Sequence, residues 1–499
     1  MTHTLCSSVL MIVFTVPVFA QWIHIRTVPI IASNQGEFHP SLARGMGNLS
    51  ISFDDPFGAP FINPAKASLT TGTMLFTSPT RNSWSNKQGR SVFSTQGSSF
   101  YPGAALNSVP LGTLFKAENY FGGAMFAYQE FKSERSQNAS PWINSIDAAP
   151  MTRTDIASNT FLFGLFGLTI PDTRVSIGVN ASWAELSAID GVNLLYPSAT
   201  DIKQDGKAWE VKIGALGELP DGDRLEFVAG RGVSQATHEV SYQNFRGPAF
   251  GIVKELNKDE TREWLLHTAY SRPLGERWKI AAALSVNWKD HPKIPNYALA
   301  NIPRDPGNST AYNIGIAPSR SSERSFWGFE YVYEPITTNT WAEAGEQRLP
   351  PPNQSLPAEF KTVENFFDFS NHIVRVGHSS AAKLDWLDYR FGAQLHFYNY
   401  KLHQIDNIAR TTRNFATDWL ETTLSGGLTA RIGSIRLMYT LQLILGNGLV
   451  GTTSQRFAST ADGGLIRELA NFLPAPSGDL VVDGITLVTQ QLVFMYVLE

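Results

Sequence analysis

Cysteine is almost absent: Cys6 is the only one in 499 residues. It lies in a stretch that reads as a leader, so the mature chain carries no disulfide, thiolate metal site or thiol nucleophile. A chain without cysteine is compatible with an oxidising periplasm. Charge is also scarce. Charged residues make up 17% of the chain and the net charge is -4 with both signs mixed, whereas soluble proteins carry about a quarter. No basic stripe is present to hold a phosphate backbone, which excludes nucleic acid as a partner. Nor does any segment after residue 20 offer the run of about 20 apolar residues that a membrane-crossing helix needs. Mean hydropathy is only -0.13. If the mature chain resides in a membrane, it must do so as a closed barrel, where every backbone N–H and C=O is paired.

Aromatic residues and glycine are plentiful. Phe, Trp and Tyr reach 12%, and there are 40 glycines. Residues 1–20 have the form of a secretory signal: Leu5 to Phe19 is apolar, and Val18-Phe19-Ala20 places a small residue before Gln21. The segment departs from the usual pattern in having His3 but no lysine or arginine at its start. Pro17 and the short apolar length argue against a membrane anchor, so cleavage near Ala20 is expected. Cys6 lies inside the apolar core rather than at the cleavage site, so it is not a lipidation site.

Alternation carries the fold. From Trp278 to Trp288 one face reads Trp278, Ile280, Ala282, Leu284, Val286, Trp288, and the other Lys279, Ala281, Ala283, Ser285, Asn287, Lys289. Ten steps of about 3.3 Å at a tilt of about 40° project to roughly 25 Å, the height of a lipid-facing band. Strands of soluble domains are typically about half as long. The same design recurs over Val175–Trp183, Trp209–Ile213 and Ile435–Leu445, and the chain ends on Phe494, Tyr496 and Leu498 of one face. Trp183, Trp209, Trp278, Trp288, Tyr439, Phe494 and Tyr496 are the candidate membrane-interface aromatics, their outer-membrane partner being lipid.

Connections alternate in length. Tight turns are expected at Pro171-Asp172-Thr173, Pro220-Asp221-Gly222-Asp223, Arg272-Pro273-Leu274-Gly275 and Arg431-Ile432-Gly433. Longer polar stretches lie at 133–152, 190–207, 241–260, 290–324, 346–363 and 447–483. Short turns at one end and long loops at the other are the habit of bacterial outer-membrane barrels. The expected fold class is therefore all-β: a transmembrane antiparallel β-barrel of about 14 or 16 strands. The expected organisation is a signal peptide at 1–20, an N-terminal plug or hatch segment at 21–67, and the barrel at 68–499, in a bacterial outer membrane.

The segment 21–67 does not alternate. It holds Ala43-Arg44-Gly45-Met46-Gly47, then Asp54-Asp55-Pro56, then Asn63-Pro64-Ala65-Lys66. Glycines permit close packing of backbone against a wall, and Pro64 restrains Asn63 to extended geometry. A plain account is two turns joined by a short strand. In this order of motifs the segment resembles the FadL-type outer-membrane transporter superfamily, which includes the PorV-like barrels of a protein secretion system. The motif match spans about residues 43–67, with Gly45, Gly47, Asp54, Asp55, Asn63, Pro64 and Ala65 as the hatch residues. The resemblance implies a hatch folded inside the barrel and passive transport of hydrophobic compounds through the barrel wall, with no cofactor.

Three function classes stay open. One is a passive channel for a hydrophobic small-molecule ligand. Another is a PorV-like component of a secretion or surface-attachment system, with secretion-system proteins as partners. The third, an outer-membrane enzyme, has least support. No Gly-x-Ser-x-Gly or His-Glu-x-x-His occurs, His396 and His403 read as polar lumen or loop residues, and Asp385 and Asp388 read as turn residues. No catalytic or metal-binding residue is expected. Residues 21–67 are too few for the folded plug of a TonB-dependent receptor. Ligand-binding residues are not specified by the sequence; Trp142, Ile143 and Phe250 are candidates for which ordinary loop packing is the simpler account.

Overall fold

The computed structural model describes residues 35–91, 103–137, 151–189, 201–244, 251–291, 307–343, 360–407, 410–453 and 478–498. The leader at 1–20 and the loop residues Trp142, Ile143 and Phe250 fall outside them.

Each strand pairs antiparallel with the next in sequence, and the last, Gly478–Leu498, returns to the first. The first strand comes in two runs, Thr73–Thr77 and Thr80–Ser91. Both runs hold one register, with Thr77 opposite Phe494 and Thr80 opposite Gln491. The seventeen runs therefore make a closed barrel of sixteen strands, the upper of the two counts expected.

Ser78-Pro79 separates the two runs. Pro79 has no N–H to donate to the last strand, although its carbonyl accepts from the amide of Leu492 at 2.9 Å. On the other seam Ser78 faces Pro110, which also lacks an N–H, and the Ser78 carbonyl accepts from the Thr80 hydroxyl at 2.9 Å instead. The Ser78 N–H still donates to the Pro110 carbonyl at 3.4 Å, so the first strand is short of one ladder bond on each side at this level.

The two faces of the wall are the reverse of a soluble protein's. In Val175–Leu186, Val175, Ile177 and Val179 are exposed while Ser176, Gly178 and Asn180 are buried. Phe329, Phe391, Leu424, Leu428 and Leu441 are likewise exposed. An outward apolar band over every strand is favourable against hydrocarbon and costly against water. Inward positions hold the polar, small and aromatic residues.

Short connections share one end of the barrel, at 118–119, 170–174, 219–223, 275–277, 322–324, 382–386 and 433–434. Left-handed residues sit in several: Asp172 (φ 59°), Gly222 (φ 83°), Gly275 (φ 73°) and Gly433 (φ 58°). The turn expected at 272–275 shifts, since Gly251–Leu274 stays a strand through Leu274. One expectation is corrected. The stretch 290–324 is not a single loop, because Gly307–Ser321 within it is a strand paired to Trp278–His291 and Ser325–Glu343. Its pattern is faint because Gly307, Gly315 and Pro318 interrupt it and its inward side is small and polar. Strands also run well into 241–260, where Arg224–Asn244 and Gly251–Leu274 pair over their length.

The described part of the N-terminal segment contains no strand. It forms a 3-10 turn at Ala43–Met46, a helical turn at Ala59–Ile62 and a 3-10 helix at Pro64–Leu69, then enters the first strand at Thr73. Phe38, Phe57 and Phe61 pack with inward Met74, Phe76, Leu114, Met438 and Met495 to form the principal apolar core.

Candidate functional site

The N-terminal segment lies in the lumen because the wall makes room for its backbone. Six strands each carry an inward glycine where a Cβ could not fit. A Cβ on Gly392 would stand 2.2 Å from the Met46 carbonyl carbon, and one on Gly377 2.5 Å from the Met46 oxygen. At Gly328 it would meet the Ser52 hydroxyl at 2.6 Å, and at Gly315 the Ile51 side chain at 2.3 Å. Across the barrel, Gly214 leaves space for the Asn63 side-chain oxygen (2.2 Å) and Gly178 for Pro64 (2.8 Å). Glycine in a strand interior weakens it and marks close backbone approach; here each approach is made by the inner segment. Of the motif glycines, Gly47 adopts φ 68° as the cap of the turn, where a Cβ would stand 2.6 Å from the Ala393 carbonyl oxygen, and Gly45 lies against Gly427 and Arg390.

Polar latches then fix the segment. Glu330, fully buried on Ser325–Glu343, accepts the backbone N–H groups of Ser50, Ile51 and Ser52 at 2.8, 2.7 and 2.8 Å. The Ser52 hydroxyl donates to the same oxygen at 2.9 Å, and Arg375 donates to the other at 3.1 Å. Arg375 is itself oriented by Gln394 at 2.8 Å and donates to the Ser50 hydroxyl at 2.9 Å. Elsewhere Gln442 donates to the Arg44 carbonyl at 2.8 Å, the Gly47 N–H donates to the Ser425 hydroxyl at 2.8 Å, and Gln491 donates to the His39 carbonyl at 3.0 Å.

The acidic pair divides its work. Asp54 faces the wall and pairs with Lys66 (3.0 Å), Arg224 (3.2 Å) and Lys279 (3.4 Å). Asp55 turns inward to its own segment and accepts from the Ser41 hydroxyl at 2.6 Å and the N–H groups of Ala43 and Phe57, both at 3.1 Å. The Asn63 side-chain oxygen accepts the Ala65 N–H at 3.0 Å, capping the 3-10 helix that Pro64 begins. Lys66 then reaches Glu226 of the wall at 2.7 Å.

These contacts set protonation. For Asp54, burial pushes the carboxyl up, but Lys66, Lys279 and Arg224 together outweigh it and hold it below the usual carboxylate range. Burial pulls Lys66 down, and Glu226 with Asp54 more than reverses this, leaving it above the ordinary lysine value. His39 stacks on Phe61 with ring centroids 5.0 Å apart. Burial, with Arg44 and Lys212 adding to it, lowers its pKa from 6.5 to about 3.

Beyond the segment the inward wall becomes aromatic. Ala311, Ile336, Phe369, Tyr400, Leu402 and Trp419 form one buried cluster, with Phe367 and Tyr398 packed on it. Rings lie face to face: His396 on Tyr398 (3.7 Å between centroids), Tyr398 on Trp419 (4.3 Å) and Phe369 on Tyr400 (5.1 Å). Polar groups border it, with Asn371 donating to Glu334 at 3.1 Å and Tyr398 to Glu421 at 3.1 Å. The structure thus turns His396 into the lumen, while His403 stays exposed with Asn414 at 2.7 Å. Asp385 and Asp388 pair with Arg324 and Arg431 at the short-turn end. Among the described residues, no group of His, Cys, Asp or Glu is placed to hold a metal.

The outward aromatics fall at two levels. Trp183 and Trp209 are register partners, and Trp288 pairs with Trp264, all well away from the short turns. Trp278, Tyr439, Phe494 and Tyr496 are exposed near the short-turn end. Sequence reasoning missed Trp264, Glu330, Arg375 and the inward glycines. A glycine in the middle of an alternating strand was the available signal.

No family model matches the chain, and no curated protein matches it. Among solved structures it is similar to the toluene transporter TbuX of Ralstonia pickettii, with 11% identity, 92% of this chain and 98% of that one covered, and a TM-score of 0.39. The toluene transporter TodX of Pseudomonas putida gives 11%, 91%, 96% and 0.40 in the same terms. The CymD monoaromatic hydrocarbon channel gives 10%, 93%, 99% and 0.36. What identifies this chain is its own register: a closed sixteen-stranded antiparallel barrel, apolar outside, with its N-terminal segment seated in the lumen.

Proposed function

We propose that the chain is an exported protein of the bacterial outer membrane, cleaved near Ala20, that passes hydrophobic compounds without an energy source. The observation that carries this is the aromatic inward wall at Phe369, Tyr398, Tyr400 and Trp419. A channel for water-soluble solutes keeps its interior polar; an apolar solute gains by leaving water for a wall of this kind. The seated segment, with Gly45, Gly47, Asp54, Asp55, Asn63, Pro64 and Ala65 as its hatch residues, blocks the straight route along the axis. The level of Ser78-Pro79 and Pro110, where each seam lacks one ladder bond, is where sideways exit would open the wall at least cost in hydrogen bonds to the first strand. The two levels of outward aromatics would sit at the two lipid interfaces.

The test is uptake of N-phenylnaphthylamine by cells whose lipopolysaccharide leaflet excludes it. Producing the full chain should speed the rise in fluorescence, and Pro79→Ala should slow it. No acceleration by a barrel shown to be folded in the outer membrane would refute the transport role. Co-purification with secretion-system proteins in that case would favour the secretion alternative.

A further inference from the structure

The outer wall carries a charged groove that a plain apolar band does not account for. In register, Trp278, Arg320, Trp327 and His378 stand side by side on four consecutive strands. Ile280, Pro318, Phe329 and Val376 form the next level toward the middle of the wall. Trp278 follows the short turn at 275–277, and Arg320 and Trp327 flank the one at 322–324, so the first level lies at the short-turn end. Pro318 and Val376 are low beside Trp278, Trp327 and Phe329, and a groove of about 370 Å³ opens over them. It is on the lipid side, since Gly328, between Trp327 and Phe329, faces Ser52 in the lumen. Trp327 leans toward the strands beyond, its ring centroid 4.0 Å from that of His378 and 5.9 Å from that of Phe391. Trp278, Trp327, Phe329 and Val376 are all exposed, so the groove is open to a guest.

At the rim Arg320 is exposed, its guanidinium 5.8 Å from the Trp278 ring centroid. Among the described residues no carboxylate pairs with it. The charges around it already balance. Each of the three adjoining turns holds one acid and one base: Glu276 with Arg277, Glu323 with Arg324, and Lys383 with Asp385. Arg324 takes Asp385 at 2.9 Å, and Arg272 on the preceding strand is engaged by Asp223 at 3.8 Å. Arg320 is left uncompensated at the mouth of an apolar groove, where an arginine calls for an anion at lipid depth. We propose that the groove holds an anionic phospholipid of the periplasmic leaflet, with its phosphodiester on Arg320 and the upper part of one acyl chain over Pro318 and Val376. This rests on the membrane placement above and not on what the lumen passes. A guanidinium matches phosphate oxygens with two parallel hydrogen bonds, and tryptophan on either side favours the same interfacial depth. The groove volume is at the lower end of ligand sites, which run from about 300 to 1,000 Å³. Charge selects the headgroup, because the amine of a zwitterionic lipid would meet Arg320 with like sign.

The experiment uses the full chain folded in detergent micelles, with bound lipid counted by native mass spectrometry. The probes are palmitoyl-oleoyl phosphatidylglycerol and the phosphatidylethanolamine with the same chains. The first phosphatidylglycerol should bind about fivefold tighter than the first phosphatidylethanolamine, the effect of one arginine on an anionic headgroup. Arg320→Gln should erase that preference. Val376→Trp fills the groove from its side and keeps the arginine, so it should weaken both lipids alike and preserve their ratio. Both positions are exposed on the outer wall, and heat-modifiable migration checks that each variant is folded. Equal binding of the two lipids by the unaltered chain, or a preference that survives Arg320→Gln, would overturn the proposal while leaving the channel reading intact. A second copy of the chain seated in the groove, seen as a dimer that Val376→Trp disrupts, would also overturn it. Failure of the chain to insert into liposomes would overturn the membrane placement as well.

Discussion

Replacing Glu330 by alanine should loosen the inner segment at Ser50–Ser52 while the barrel stays closed. One oxygen of this carboxylate accepts three consecutive backbone N–H groups and a hydroxyl, all within 2.9 Å. A hydrogen bond to a charged group contributes about 1.5–3 kcal/mol, but bonds that share one oxygen do not add in full, and water can enter the vacated space. Removing one partner of a buried charge pair costs about 3–5 kcal/mol, and Arg375 is left as that unpaired charge. Taking the lower figure, about 3 kcal/mol, amide exchange at residues 50–52 should quicken by about 150-fold. Glu330→Gln keeps one acceptor but turns an NH2 toward Arg375, so its effect should be intermediate. Hydrogen exchange followed by mass spectrometry reads this peptide directly, and heat-modifiable migration on a gel reports whether the barrel is intact. Unchanged protection at 50–52 in a folded Glu330→Ala barrel would refute the latch.

The glycine seats can be tested by contrast. Gly392→Val should expel the Met46 turn, while Gly164→Ala, with nothing within 4 Å of its new methyl, should be silent in exchange and gel shift. His39 supplies a pH dependence. Its folded pKa of about 3 lies below the ordinary 6.5, so the released segment takes up a proton first as pH falls. Seating is then fully favoured above 6.5 and weakens progressively toward 3. Limited proteolysis at pH 7.5 and pH 5 should show more cleavage of the segment at the lower pH, and His39→Phe should abolish the difference. Pro79→Ala restores a ladder N–H facing the last strand and should stabilise that seam by about 0.5–1.5 kcal/mol, read as a higher temperature for loss of the gel shift.

Much of the outer surface was legible because lipid imposes a simple rule on it. Trp278 to Trp288 alternates with aromatic ends, and the strand lies where the alternation put it. Gly307–Ser321 failed the same test because its inward face answers to the inner segment: Gly315 is small so that Ile51 fits. The motif order in 43–67 located the segment, yet nothing in Asp54-Asp55 foretold that one carboxylate would pair with the wall and its neighbour with Ser41 and Ala43. Partners such as Glu330 and Ser50 are 280 residues apart, and only strand register brings them together. The aromatic wall was equally hidden, since Phe369, Tyr400 and Trp419 meet only when three strands align.

The break in the first strand has a consequence for biogenesis. Ser78 donates its hydroxyl to the Phe38 carbonyl at 2.7 Å, and Gln491 of the last strand holds the adjacent His39 carbonyl. The two edges that meet at the closing seam thus hold adjacent residues of the segment they enclose, Phe38 and His39. The segment then ties the two ends of the wall together from inside. Seating the segment and closing the seam are therefore coupled, since each supplies hydrogen bonds to the other.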